Sequence, residues 1–184
     1  MNIAIWVVVV IVVLLIVWGI MTYNGLVRGL NKVEEAFSTM DVYLKKRWDL
    51  IPNLVEVVKA YAKHEKETIE KITTLRKNTY ESMSIDKKIN VNEELTQDLS
   101  KIMIISENYP DLKSSQNFIE LSHELTEIED EIANSRKYYN GTVRIFNNKV
   151  QMFPSNLVAR IFGFHCANMF EANTDEKNNV KVDV

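Results

Sequence analysis

The chain has 184 residues, a net charge of -3, one Cys, five Gly and three Pro. Its acidic and basic residues are interleaved, which excludes an extended basic field for nucleic acid, and a single Cys excludes an intramolecular disulfide. Scarce Gly and Pro beside abundant Glu, Lys, Leu and Ile argue against a strand-and-turn fold and for long helices.

The first element is an uncharged apolar stretch of nineteen residues bounded by Ile3 and Met21. About 20 such residues cross a hydrocarbon core of roughly 30 Å as a helix. Trp6 and Trp18 lie near its ends, where amphipathic rings favour the membrane–water interface. No basic residue precedes it and no small-x-small cleavage site follows, so an uncleaved anchor over residues 1–22 is expected rather than a signal peptide. Arg28 and Lys32 follow closely, then Lys45, Lys46 and Arg47, which by the positive-inside tendency puts the following domain on the cytoplasmic side of the cell membrane.

Beyond the anchor, Leu26, Leu30, Val33, Phe37, Met40 and Leu44 alternate spacings of four and three, one face of a helix that should run to about Asp49. Pro52 reads as the first turn of a second helix. That helix carries Leu54, Val58, Tyr61, Glu65, Thr68, Ile72 and Leu75, and fades near Met83. Residues 84–92 read as a polar connection, with Asn92 as N-cap of a third helix bearing Leu95, Leu99, Ile102 and Ile105. Tyr109-Pro110-Asp111 is a turn signal. The fourth helix has the longest stripe, from Phe118 through Leu125, Ile132, Tyr139 and Phe146 to Phe153, and Pro154 ends it. An apolar and aromatic run over 155–170 follows. The expected fold class is all-α: an N-terminal transmembrane helix continuing into an antiparallel four-helix bundle of long helices over 23–172, with a polar tail over 173–184.

The run YNGLV at 23–27, AFSTMDVYLKKRWDLIPNLVEVVKAYAKHE at 36–65, and ENYPDLKSSQNFIELSHELTEIEDEIANSRKYYNGTVRIFNNKVQMFP at 107–154, followed by Gly163-Phe164, resemble the LemA family. The resemblance implies a bacterial single-pass membrane protein with an antiparallel helical-bundle domain. It implies no established enzymatic activity and brings no active site with it.

Chemistry-bearing constellations are thin. A carboxylate-bridged di-metal site in a bundle takes two Glu-x-x-His pairs and two further Glu; Glu120 and His123 form one pair, and no second exists. His64-Glu65 begins like a zincin motif, but Thr68 stands where the second His would be. Cys166 beside His165 lacks a nucleophile pattern and reads as a small buried hydrophobe or a membrane-proximal acylation site. No catalytic residue, metal site or cofactor is therefore expected, and no phosphate-binding loop is present.

Polar residues at inner-face positions are more informative. Glu65 falls on the second stripe. Asn24 and Asn140 sit in two copies of one Tyr-Asn-Gly tripeptide, with Tyr139 in the second copy and Arg136 one turn before it. If the first and fourth helices are antiparallel, these groups approach each other near the membrane, either as an internal register lock or as a polar seam for a partner. Within 157–170, Ile161, Phe162, Phe164, Phe170 and Arg160 suit either a bilayer-interface segment or a cap on the bundle core. The functional expectation is a non-enzymatic scaffold that touches the bilayer and either self-associates or binds another membrane protein. The alternative is a regulatory adaptor of a membrane-bound enzyme such as a protease; a metal- or ligand-binding bundle ranks behind both.

Overall fold

The structure is a computed structural model that describes residues 3–75 and 80–170; the expected tail at 173–184 lies outside the described residues. All regular structure among the described residues is helical: α1 (Ile3–Tyr61), α2 (Lys66–Leu75), a 3-10 turn (Tyr80–Ser82), α3 (Ile85–Glu107), α4 (Pro110–Lys113), α5 (Gln116–Gln151) and α6 (Ser155–Ile161).

Helix α1 departs most from expectation. It does not end near Asp49 but continues through Pro52 to Tyr61. The reason is phase. Val33, Phe37, Met40, Leu44, Ile51, Leu54 and Val58 are all buried, and with Arg47 they keep spacings of four and three without a skip. The two stripes expected for separate helices are one stripe on one face, so burying it favours one helix. Each of these apolar side chains contributes about 1.5–3 kcal/mol when fully buried. Pro52 points outward from that stripe and is exposed. A proline inside a helix costs about 3 kcal/mol through its lost N–H bond and ring clash; several buried neighbours outweigh that cost.

The chain leaves α1 at Ala62, so Glu65 lies in the link to α2 rather than on a helix face. Helix α3 starts earlier than expected. Ser84, not Asn92, is its N-cap, with the hydroxyl accepting from the Lys87 amide, and Asn92 is buried two turns inside. Helix α5 matches its expected extent, and α3 ends before Tyr109 as the turn signal implied, with the short α4, which was not expected, opening at Pro110. The α5 stripe drifts: Val143 joins Tyr139 and Phe146 in the core, and Phe153, expected on the stripe, is exposed. A 3.6-residue helix slips against a strict seven-residue repeat, so a long stripe leaves the core at one end.

The described residues fall into two compact units. One holds residues 3–39 and 136–169; the other holds 40–135 with Phe170. In the first, Gly29 of α1 meets Phe146 of α5, and Phe37 meets Tyr139 ring-edge at 5.8 Å, so the two helices run in opposite directions there. A Cβ on Gly29 would stand 3.1 Å from Phe146 Cδ2, so the missing side chain is what lets that ring seat. In the second unit, α2 and α4 both pack on α3.

If α1 is one helix, Pro52→Ala removes a cost without removing a turn. Thermal melting of the full chain in detergent micelles should show Pro52→Ala more stable than the parent by about 1–3 kcal/mol. A loss of stability would mean that Pro52 begins a separate helix.

Candidate functional site

The anchor residues stand as a bare helix. Ile3, Trp6, Trp18 and Met21 are exposed, the apolar window has a mean hydropathy of 3.3, and none of it is buried within the protein. A fully apolar helix with no protein around it has length and composition to cross a membrane.

Just beyond it, in the first unit, an aromatic cluster gathers. Tyr23 packs on Phe162 with ring centroids 4.7 Å apart, and on Phe164 at 5.7 Å. The Gly163 turn arranges those two rings. Gly163 has φ +72, and the Phe164 amide donates to the Ala159 carbonyl at 2.9 Å, a glycine-ended helix cap. The second tripeptide does something different. Tyr139 is buried, and its hydroxyl donates to the Asn168 carbonyl at 2.9 Å. Asn147 clips the same returning strand of chain: its Nδ2 donates to the Ala167 carbonyl and its Oδ1 accepts from the Ala167 amide, both at 2.9 Å. Asn24 is exposed, and its carbonyl accepts from Arg28 Nε; Arg136 and Asn140 are half-buried. Gln151 Nε2 donates to the exposed Cys166 Sγ at 3.2 Å.

The second unit holds a polar network that sequence reasoning did not single out. Arg47 is fully buried. Its Nη1 donates to Glu129 Oε1 at 2.6 Å and to Thr96 Oγ1 at 2.8 Å. Its Nη2 donates to the Asn92 carbonyl at 2.9 Å and to Asn92 Oδ1 at 2.7 Å. One guanidinium thus ties α1, α3 and α5 together in the planar, forked geometry that arginine alone supplies. The signal was present: position 47 lies three after Leu44 and four before Ile51, on the inner stripe. Beside it, Asp41 accepts from the Tyr80 hydroxyl and from Lys88 Nζ, both at 2.6 Å. The Lys88 ammonium also lies 4.6 Å from the Tyr80 ring centre. Buried Asp98 accepts from Lys71 and Lys101 at 3.0 and 2.9 Å. Glu65 accepts from the Tyr109 hydroxyl at 3.2 Å; desolvation first, then this hydrogen bond, raises the pKa of that phenol.

Among the described residues, no three His, Cys, Asp or Glu side chains converge as a metal site. His123 is exposed on α5 with Glu127 at 3.6 Å. An open cleft of about 620 Å³ lies between Asn53, Glu56, Tyr61, Asn117, Glu120 and Glu124.

The family model described as LemA family matches residues 36–184. The chain is 28% identical to "Protein LemA" of Metamycoplasma hominis over 85% of its own length and 72% of that protein. It is 33% identical over 73 residues to "Magnetosome protein MamQ 2" of Paramagnetospirillum magneticum, which covers 40% of this chain and 27% of that one. It is 22% identical to "Magnetosome protein MamQ" of Magnetospirillum gryphiswaldense over 79% of this chain and 63% of that one. The chain thus spans well under two thirds of the MamQ 2 relative and slightly under two thirds of the other.

Two outcomes test the network. Removing one partner of a buried, hydrogen-bonded ion pair costs about 3–5 kcal/mol, and the partial exposure of Glu129 places Arg47→Ala at the low end, about 3 kcal/mol in a denaturant melt; a change under about 1 kcal/mol would mean the clamp carries no stability. Tyr80 supplies the pH test. Burial first, then the Asp41 hydrogen bond, raises its phenol above the ordinary value of 10.0. Folding therefore favours the protonated phenol, so its contribution is intact below about pH 10 and is lost as pH rises from there through the raised folded value. The stability gap between the parent and Tyr80→Phe should stay constant near neutrality and narrow above about pH 10.

Proposed function

The chain belongs to the LemA family, and from that premise we propose that it acts as a membrane-anchored, non-enzymatic scaffold that assembles with copies of itself. In this reading residues 1–22 are the anchor, and residues 23–172 form an antiparallel helical bundle. Arg28 and Lys32, the first charges after the anchor, support a cytoplasmic position for the bundle.

The observation that carries the reading is the Arg47 clamp. A scaffold must present its outer faces in a fixed register. Arg47 joins three helices through four hydrogen bonds turned wholly inward, a device whose best-attested use is to fix register rather than to act on a ligand. Outside that core, α5 leaves Ile119, Tyr138 and Ile145 exposed, surfaces of the kind that helix-to-helix contact would cover.

The test is cross-linking in cells followed by purification in mild detergent and native mass measurement. A discrete ladder made of this chain alone is the expected result. A bare monomer would overturn the proposal. A stoichiometric second protein would overturn self-assembly and make the chain an adaptor for that protein.

A further inference from the structure

The turn between α5 and α6 does two things at once. Val158 and Ala159 of α6 are buried, so one face of that short helix closes the core of its unit. The other face is left over. Met152, Phe153, Leu157, Ile161 and Phe162 are all exposed, Phe153 at 78% and Ile161 at 77%. Capping the core therefore explains the first set and not the second.

The height of this leftover face is fixed by Tyr23. That residue lies two positions beyond Met21, where the apolar stretch ends, which is about 3 Å along the helix. Phe162 stacks against its ring at 4.7 Å. The exposed apolar turn thus sits level with the end of the membrane-spanning segment, at the depth where amphipathic rings settle in a bilayer.

Charge agrees. Residues 136–169 hold five basic side chains (Arg136, Lys137, Arg144, Lys149 and Arg160) and no carboxylate. With residues 3–39 added, the unit has seven basic residues against two acidic ones, while the rest of the chain has fifteen against twenty-three. The interleaving that holds for the whole chain hides a basic unit next to the anchor.

We propose that this turn is an interfacial foot: Met152, Phe153, Leu157, Ile161 and Phe162 enter the headgroup–acyl boundary of the same bilayer that α1 crosses, and Lys149 and Arg160 take the phosphates of anionic phospholipid headgroups. A second protein copy is the competing occupant. The bilayer is favoured because the anchor holds it permanently at that level, so contact is intramolecular in effect and needs no further association. Basic residues flanking an exposed apolar face suit anionic lipid in the same way. The inference rests on membrane anchoring and is independent of self-assembly.

The test uses the full chain with Cys166→Ser, carrying one nitroxide through Phe153→Cys or Ile161→Cys, both of which face outward; a label at exposed Glu124 is the aqueous control. Each is reconstituted in vesicles of phosphatidylcholine alone or of phosphatidylcholine and phosphatidylglycerol in equal parts, with helicity checked by circular dichroism. Oxygen should collide with the labels at 153 and 161 more often than a water-soluble nickel complex does, with the order reversed at 124. The shift towards oxygen should grow with phosphatidylglycerol, and that growth should vanish in Lys149→Gln/Arg160→Gln. Labels as open to nickel as the control would overturn the proposal. Labels shielded from both reagents would also overturn it, in favour of a protein contact. A phosphatidylglycerol effect unchanged in the double variant would overturn the headgroup assignment.

Discussion

One helix has to satisfy two solvents. The first part of α1 is apolar all round and has no protein against it, as hydrocarbon requires, whereas its later part is apolar along a single stripe, as a protein core beside water requires. Because the stripe never loses phase from Val33 to Val58, the helix has no place to break cheaply. Pro52 is tolerated within it because it falls on the outer face. Within the first unit α5 packs against it in the opposite direction, and within the second α2 and α4 pack on α3.

The two units solve different problems along it. The second buries charge and pairs it: Arg47 with Glu129, Asp98 with two lysines, Asp41 with Lys88 and Tyr80. Buried ion pairs add little net stability over apolar packing but penalise wrong registers heavily, since a slipped helix would leave each charge unpaired. The first unit has no comparable buried ion pair among those described. It is held by rings (Tyr23, Phe37, Tyr139, Phe162) and by an asparagine clip to the backbone, and its charge is predominantly basic. This division fits a chain whose register is set in one unit and whose neighbourhood with lipid is met by the other.

Much of this was legible in the residues. Composition alone marks the candidate membrane span, because nineteen uncharged residues leave a soluble chain few options. The long stripe of α5 and the Tyr109-Pro110 turn were likewise readable, and the LemA resemblance was recovered by comparison with known proteins. The misreadings share a cause. At Pro52 the local rule for proline points to a helix start, but the phase of Leu44, Ile51 and Leu54 across it is the stronger signal. Arg47 reads as a topology charge, although its stripe position places it inside. Asn92 looked like a cap because Asn favours caps; Ser84, with its hydroxyl reaching Lys87, was the better one, and Asn92 was needed inside for Arg47. Glu65 continued a stripe numerically, but the helix had already ended at Tyr61. In each case a wider context than the local rule decides: the phase of the whole stripe for Pro52 and Arg47, the end of α1 for Glu65, and for Asn92 the contact with Arg47, which no local pattern contains.

Hydrogen exchange along α1, with the full chain in lipid nanodiscs, tests the central claim most directly. A single helix predicts slow exchange running without interruption from the apolar segment past residue 52 to the buried turn around Val58, apart from Pro52 itself, which has no amide hydrogen. A cluster of fast-exchanging amides at residues 49–53 would contradict it, because it would mean two helices meeting at a turn and would remove the continuous stripe on which the rest of the account depends.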